Sequence, residues 1–174
     1  EFRAGWQNGQ AEAYRKVDSI EVHPDFSFTG QMGLQRVPSD LAILRLLTPV
    51  QQPDIKPFSV AQMPLKGASV AVVSYAHDRS EAPRIHDGCQ VLGRKEKVSV
   101  FGCEVDYGSS GAPVFRLDLG VPMIVSVISA KSTYLGQPIS LGSTAVEKIV
   151  ILTDVASTSV ADPTGSRGAR FLRP

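Results

Sequence analysis

Residues 106–115 read Asp106-Tyr107-Gly108-Ser109-Ser110-Gly111-Ala112-Pro113-Val114-Phe115 and lead directly into an apolar segment. The glycines on either side of the serines allow the backbone to turn tightly and to expose a hydroxyl group. They also allow successive backbone N–H groups to point at one spot, as an oxyanion hole requires. The stretch is therefore a candidate nucleophile turn. Taken by itself, it is more often a plain Ser/Gly hairpin loop.

The apolar segments around this turn are short and end at turn residues. The 12 prolines and 15 glycines interrupt the chain too often for long helices. Residues 19–22 alternate between polar and apolar, which is typical of a half-buried strand, whereas the continuous apolar run 41–47 predicts a buried one. Further strands are predicted at 68–75, 88–93, 97–101, 113–117 and 121–128. The pattern predicts an all-β fold.

The same pattern predicts two parts joined by a linker. Three prolines interrupt residues 53–64, which we expect to connect a first part, residues 1–52, to a second part, residues 65–156. Residues 157–174 mix Gly, Pro, Ser and three Arg without periodicity and are expected to be a flexible tail. The sequence begins Glu1-Phe2-Arg3 with neither an initiator Met nor a signal peptide, so we expect it to be the later part of a longer one.

The charge balance argues against a nucleic-acid partner. The chain has 18 Lys and Arg against 17 Asp and Glu, a formal net charge of +1. Nucleic-acid binding usually requires a strong basic excess. No uninterrupted apolar run approaches the roughly 18 residues of a membrane span. We therefore expect neither nucleic acid nor a membrane as a partner.

Two cysteines, Cys89 and Cys103, have a spacing that suits one disulfide across neighbouring strands. In the chain-entropy model, closing a loop of that size stabilises a fold by roughly 3 kcal/mol. The alternative is two buried free thiols. None of His23, His77 and His86 lies at zinc-ligand spacing from either cysteine, so no metal site is predicted. A disulfide favours an oxidising compartment, which predicts a secreted or periplasmic protein.

One carboxylate, Asp40, lies at the mouth of the apolar run 41–47. Taken alone, a carboxylate in that place is more often a turn or capping residue. The other role is that of a half-buried group that holds an imidazole in position. The surrounding residues decide between the two.

These segments together resemble motifs of the chymotrypsin/trypsin family of serine endopeptidases. Residues 40–46 (D-L-A-I-L-R-L) match the family's D-[IL]-A-[LIV]-[LIV]-[KR]-L segment, and residues 108–113 (G-S-S-G-A-P) match its G-D-S-G-G-P segment. Residues 22–26 (V-H-P-D-F) resemble V-x-H-P-x-[FY], and residues 124–127 (I-V-S-V) resemble G-[IV]-V-S-W. Four motifs in the family's order make the resemblance specific.

The resemblance implies roles for individual residues. Ser110 is expected to be the nucleophile, and Asp40 the carboxylate that orients the catalytic imidazole. The N–H groups of Gly108 and Ser110 are expected to form the oxyanion hole. Ser126 is expected to support Asp40 or the strand that pairs with substrate. The implied fold is two antiparallel six-stranded β-barrels, the first incomplete at its N-terminus, with the cleft between them and no cofactor.

Two further positions bear on substrate preference, and they point in opposite directions. In trypsin-like enzymes the sixth residue before the nucleophile lines the base of the primary pocket. Here it is Glu104, whose carboxylate, if buried, would favour Lys or Arg; a solvent-facing Glu104 is the alternative. Ile128 falls near a family Gly that opens the pocket wall, and its bulk would favour small residues. Ser109 replaces the usual Asp, which argues against a trypsin-like activation switch and resembles the bacterial glutamyl-endopeptidase-like branch.

The catalytic imidazole is the part of the triad that the sequence does not supply. The family's His precedes the Asp by a distance that falls at or before Glu1. His23 belongs to the later H-P segment, and His77 and His86 lie between the Asp and the Ser, an order that the family does not use. We expect all three to be structural, surface or loop residues. The chain alone is therefore expected to be inactive. The expected partner is the N-terminal segment of the same protein, present as a separate chain.

The predicted function is hydrolysis of polypeptide substrates through an acyl-enzyme intermediate. The main alternative is a pseudo-protease in which the same cleft binds peptides or proteins without cleaving them. An unrelated β-rich interaction domain would require four ordered motif matches to be accidental.

Overall fold

The computed structural model describes residues 1–27, 33–77, 79–118 and 120–144, which contain eleven strands and one 3₁₀ helix, Leu34–Ser39. The predicted tail 157–174 and the end of the predicted second part, 145–156, lie outside the described residues. The strands are β1 (Phe2–Ala4), β2 (Ala13–Arg15), β3 (Val17–Val22), β4 (Ala42–Leu46), β5 (Ser59–Val60), β6 (Ser69–Ser74), β7 (Arg84–Lys95), β8 (Val98–Phe101), β9 (Pro113–Asp118), β10 (Val121–Tyr134) and β11 (Gln137–Thr144).

The strands after β4 form one seven-stranded sheet that closes on itself. Its order is β11-β8-β7-β6-β9-β10-β5, and β10 also pairs with β11. This extra pairing makes a closed ring of all the strands except β5, and every pair in the ring is antiparallel. β5 is added parallel to β10 at the edge. Closure removes the unpaired edges that an open sheet would present to solvent.

Apolar side chains from alternate positions of these strands fill the ring. The buried residues of this core are Val70, Val72, Cys89, Val91, Phe101, Cys103, Val105, Ala112, Val114, Val125 and Ile128. Most of them lie in strands in which every second side chain points into the ring, for example Val70 and Val72 of β6. The core ends directly beside the turn that carries Ser110, because Ala112 and Ile128 both belong to it.

The first part of the chain does not form a second ring in the described residues. β1 pairs with β2 and β3 pairs with β4, each as a separate two-stranded antiparallel sheet. The run 41–47 is not a buried strand as predicted, because Leu44 of β4 is 47% exposed and its partner Ile20 is 54% exposed. The predicted all-β class is confirmed, whereas the arrangement as two six-stranded barrels is not established.

The 3₁₀ helix joins the first part to the ring. Its residue Val37 is buried and packs with Val98 of β8 and with Ile139 and Leu141 of β11. Full burial of a valine side chain stabilises a fold by about 1.5–3 kcal/mol. The helix is therefore fixed on the outside of the ring, and the residue that follows it, Asp40, is fixed with it.

Candidate active site

The turn that carries Ser110 is held at its base by three backbone hydrogen bonds. The N–H of Ser109 donates to the carbonyl of Asp106 at 3.2 Å, and the N–H of Ala112 donates to the carbonyl of Ser109 at 3.0 Å. The N–H of Gly111 donates to the carbonyl of Ile128 in β10 at 2.8 Å. Ser110 itself is exposed. The tight turn predicted from the Gly-Ser-Ser-Gly sequence is therefore present, with its serine side chain toward solvent.

Two backbone N–H groups in this turn are available to a ligand. Within the described residues, neither the N–H of Gly108 nor that of Ser110 donates a hydrogen bond to another residue. Gly108 has a φ of +90°, a conformation that glycine adopts without steric cost. A Cβ at this position would also lie 2.9 Å from the backbone N of His77. Only glycine fits here, and the two free donors have the composition of an oxyanion hole.

Asp40 lies at the end of the 3₁₀ helix, immediately before β4. Its own N–H donates to the carbonyl of Val37 at 3.4 Å, which closes the last turn of the helix. The neighbouring Ser39 is buried, and its hydroxyl donates to the carbonyls of Asp25 and Arg36, each at 3.3 Å. These contacts hold the backbone of Asp40 and leave its side chain half-buried and directed to β10.

Ser129 connects the two predicted catalytic residues. Its hydroxyl donates to Oδ2 of Asp40 at 2.6 Å, and its carbonyl accepts a hydrogen bond from Oγ of Ser110 at 3.2 Å. The pairing of β10 with β11 shifts register between Ile128 and Ala130, so Ser129 is the extra residue of a β-bulge. Bulges redirect side chains and are frequent beside functional sites. The carboxylate and the serine hydroxyl therefore meet at one residue.

Ser126 does not contact Asp40, which was one of the two roles expected of it. Its hydroxyl donates to the carbonyl of Ser143 at 2.6 Å, and the side chain is fully buried between β10 and β11. Gly142 faces it so closely that a Cβ there would lie 2.5 Å from Oγ of Ser126. The hydroxyl that reaches Asp40 is that of Ser129, three residues later.

The sequence contains a signal for Ser129 that was missed. Residues 127–129 (V-I-S) repeat the apolar-apolar-Ser pattern of residues 124–126 (I-V-S), so either serine matches the same motif. In a regular strand, positions three apart point to opposite faces. The bulge at Ser129 decides which hydroxyl faces the site, and a bulge is not visible in the pattern of apolar residues.

Glu104 lies on the surface, whereas Ile128 is buried in the core of the ring. Glu104 is exposed and makes no hydrogen bond or ion pair with another described residue. The structure thus places it on the surface, which was the alternative position. Ile128 is 2% exposed and packs in the ring core, while its backbone holds Gly111 and Ala112 in place. Its contribution is to the base of the Ser110 turn.

The three histidines are placed in different parts of the molecule. His23 is buried just after β3, where its Nδ1 accepts a hydrogen bond from the N–H of Asp25 at 3.2 Å. His77 is exposed in the segment after β6, and His86 lies in β7. Neither His77 nor His86 has a side-chain hydrogen bond to Ser110 or Asp40 in the part of the chain that the structure describes.

Charged and aromatic groups surround the Ser110 turn. Asp106 forms an ion pair with Arg79, with 2.8 Å between Oδ2 and Nη2. The hydrogen bond and charge of Arg79, together with the charges of His86 and Lys131, hold the pKa of the Asp106 carboxyl below its ordinary value. The ammonium group of Lys131 lies 3.5 Å from the ring centre of Tyr107, a cation–π contact. The rim of the site therefore carries both signs of charge.

Other features of the described residues lie apart from this site. A surface depression of about 550 Å³ is formed by residues 79–85 and includes none of Asp40, Ser110 and Ser129. In those same residues, no group of His, Cys, Asp and Glu side chains is arranged to hold a metal ion. The described part of the chain also has no helix whose length and apolarity would allow it to cross a membrane.

The predicted disulfide between Cys89 and Cys103 is confirmed. Their Cα atoms are 5.0 Å apart, and both residues are buried in the ring core. The N–H of Gly102 also donates to the carbonyl of Gln90 beside the bridge. The disulfide therefore fixes the start of the segment that leads from β8 to the Ser110 turn.

Comparison with known proteins finds a solved structure with a similar fold and no matching family. No family model matches the chain, and no curated protein matches it. A solved structure similar to it is that of a thermostable serine protease, AL20, from an extremophilic microorganism. The TM-score is 0.70 and the sequence identity 18%, over 91% of this chain and 74% of the other. The chain therefore has the β-rich fold of a serine protease.

Proposed function

We propose that the chain is part of a serine endopeptidase of the chymotrypsin/trypsin type, in its bacterial branch. The observation that carries this proposal is the path from Ser110 through Ser129 to Asp40, with bonds of 3.2 and 2.6 Å. The alternative interpretation, a plain Ser/Gly hairpin loop, does not explain why a half-buried carboxylate, Asp40, is joined to the serine of the turn. The free N–H groups of Gly108 and Ser110 beside the same hydroxyl add the donors that acyl transfer needs.

The proposed roles follow from this geometry. An imidazole between Ser110 and Asp40 takes the hydroxyl proton while Oγ attacks the carbonyl carbon of a peptide bond. The N–H groups of Gly108 and Ser110 bind the negative oxygen that develops. The same imidazole then protonates the leaving amine as the C–N bond breaks, and water hydrolyses the acyl-enzyme in the reverse order of proton transfers. Asp40 orients the imidazole and stabilises its charged form.

We propose that the imidazole comes from a segment outside these 174 residues. His77 and His86 make no side-chain bond to Ser110 or Asp40 within the described residues, and Nδ1 of His23 is used in its own turn. The hydroxyl of Ser110 donates to the carbonyl of Ser129. A serine without a general base is a weak nucleophile at neutral pH. The N-terminal segment of the same protein, joined or separate, is the partner that would complete the site.

Hydrolysis of a chromogenic peptide ester tests the proposal. We expect turnover from a version extended at its N-terminus to include a histidine segment, and none above background from the 174-residue chain. Ser110→Ala in the extended version should abolish turnover, whereas Ser132→Ala, an exposed serine of β10, should not. Turnover by Ser110→Ala would show that Ser110 is not the nucleophile. Robust turnover by the 174-residue chain would overturn the need for an external imidazole, and peptide binding without turnover by the extended version would favour a pseudo-protease.

The proposed location is outside the cytoplasm, in the periplasm or medium. The support is the buried disulfide, because disulfides persist in oxidising compartments. The proposed substrate is a polypeptide. The exposed position of Glu104 and the buried position of Ile128 leave the P1 preference without an assigned residue. A peptide library cleaved by the extended version would determine it.

A further inference from the structure

The N-terminal segment Trp6-Gln7-Asn8 is clasped to the segment that follows β6. Oη of Tyr75 donates to the carbonyl of Trp6 at 2.7 Å, and Nε1 of Trp6 donates to the carbonyl of Ser80 at 3.0 Å. The N–H of Asn8 donates to the carbonyl of Glu81 at 2.6 Å. We call these three bonds the clasp. They join residues about 70 positions apart in the sequence, so they hold two segments that local structure alone would not bring together.

The local sequence prepares the clasp. Asn8 and Gly9 have φ values of +50° and +83°, and Gln7 and Gln10 exchange backbone hydrogen bonds of 2.8 and 3.1 Å across them. This is the tight two-residue hairpin turn that an Asn-Gly pair favours. Such a turn leaves the N–H of its first central residue unpaired within the hairpin. That N–H, on Asn8, is the donor to Glu81.

On its other side, the segment that follows β6 contacts residues 106–108, which lead into the Ser110 turn. Arg79 forms the 2.8 Å ion pair with Asp106. The N–H of His77 donates to the carbonyl of Tyr107 at 2.9 Å. Gly108 lies against the backbone of His77 so closely that no Cβ fits between them. Residues 75–77 and 79–81 thus contact both the N-terminal hairpin and residues 106–108.

From these contacts we propose that the clasp and the Arg79–Asp106 pair together position the Ser110 turn. Trp6, Asn8 and Arg79 are then positioning residues for catalysis at Ser110. The inference rests on the proposed function, since it assigns the turn a role in binding the developing negative oxygen. Asp106 is the link, because its side chain is held by Arg79 while its carbonyl accepts the N–H of Ser109. A change at Trp6 therefore reaches the residue beside the nucleophile through bonded neighbours.

The turn needs such support from outside. It contains two glycines with positive φ, which are the residues with the most conformational freedom to lose. Its C-terminal side is anchored to β10 by the pair Gly111 and Ile128. Its N-terminal side, residues 106–108, has no strand pairing, and its contacts with Arg79 and His77 are the ones described above.

Amide hydrogen exchange in the 174-residue chain tests this coupling without requiring catalysis. The amides to follow by NMR are those of Ser109 and Ala112, which are bonded within the turn, with Gly111 as the amide anchored on β10. We expect Arg79→Ala and Trp6→Phe each to accelerate exchange at Ser109 and Ala112 about tenfold or more. Trp6→Phe keeps an aromatic ring at this position and removes the five-membered ring of the indole with the N–H that donates to Ser80.

Matched variants separate positioning from general loss of stability. Arg84→Ala makes the same change in an exposed residue near the clasp that has no side-chain bond to a described residue, and it should leave exchange in the turn unchanged. Arg79→Lys should restore part of the protection, since it keeps the charge opposite Asp106. Trp6 is the single tryptophan, so its fluorescence in Arg79→Ala and Arg84→Ala reports whether the clasp is released. Equal exchange rates in Arg79→Ala and Arg84→Ala would overturn the inference.

A second measurement, in the N-terminally extended version, addresses catalysis. Loss of one oxyanion donor costs about 10²–10³ in kcat. We therefore expect Trp6→Phe and Arg79→Ala to lower kcat by about tenfold or more with little change in KM, and Arg84→Ala to change neither. A rise in KM at constant kcat would contradict the proposal that the clasp positions the Ser110 turn. If no version hydrolyses the ester, the proposed function fails, and the exchange data still decide whether the clasp holds the turn.

Discussion

The hydroxyl of Ser129 donates a 2.6 Å hydrogen bond to the carboxylate of Asp40. This bond joins the end of the 3₁₀ helix, in the first part of the chain, to a bulge in β10 of the ring. Because the carbonyl of the same residue accepts a hydrogen bond from the hydroxyl of Ser110, the position of the carboxylate relative to the serine is set by one residue. This bond thereby fixes the position of the first part of the chain relative to the ring at the candidate site.

Ser129→Ala should destabilise the fold by about 1–3 kcal/mol, because it removes the hydroxyl that donates to the half-buried side chain of Asp40. Urea denaturation of the 174-residue chain measures this loss. Ser132→Ala is the matched control, since Ser132 is an exposed residue of the same strand. Equal stability of the two variants would show that the bond to Asp40 contributes nothing to holding the two parts together.

The alternating and apolar patterns predicted the strands of the ring well. Each of the runs 68–75, 88–93, 97–101, 113–117 and 121–128 overlaps a strand, because short apolar runs bounded by turn residues fit a closed sheet with one buried face. The pattern failed at β4, where apolar residues are exposed. It also missed β11, whose buried residues after Ile139 are mostly Ser, Gly and Thr. Small polar residues carry no signal of burial.

At the candidate site, the resemblance to family segments singled out residues that lie close together, and it failed on how they are joined. Asp40 and the Gly108–Ser110 turn lie on either side of Ser129, which bonds to Asp40 and to Ser110. Ser129 was missed because a bulge changes the facing of one residue without changing composition. The clasp was missed because it depends on backbone carbonyls, which every residue has. The Asn8-Gly9 pair was a hairpin signal that could have pointed to it.

Gly108→Ala should be markedly more destabilising than Gly67→Ala. The two glycines have nearly the same φ, +90° and +88°, so each substitution incurs the strain of about 1–2 kcal/mol that a Cβ meets in the left-handed region. At Gly67 the added Cβ meets nothing within 4 Å, whereas at Gly108 it lies 2.9 Å from the N of His77. We expect a further loss of about 1–3 kcal/mol at Gly108, as for other overpacked sites. Equal midpoints in urea would contradict the close approach of His77.

Reduction of the disulfide between Cys89 and Cys103 should lower the free energy of unfolding by about 3 kcal/mol, the value expected for a closed loop of this length. Urea denaturation with and without a thiol reductant measures the change. The double variant Cys89→Ala, Cys103→Ala serves as the control, because reductant should not affect it. If reductant shifted both proteins equally, the shift would not come from this bridge.

Acid should weaken the contact between Asp106 and Arg79. The hydrogen bond from Arg79 is the largest cause that holds the pKa of the Asp106 carboxyl below its ordinary value of 3.8. Because the pKa is lower in the folded protein, the unfolded chain binds more protons in acid, and stability rises with pH through this range. The contribution of the contact is fully present above the unfolded pKa and is lost as the pH falls through the lowered pKa of the folded protein.

Asp106→Asn should therefore be less stable than the parent protein at about pH 5 and approach it at about pH 2. Asp54→Asn, an exposed aspartate without a described contact, should show no such convergence. A gap between Asp106→Asn and the parent that stays constant with pH would contradict the ion pair.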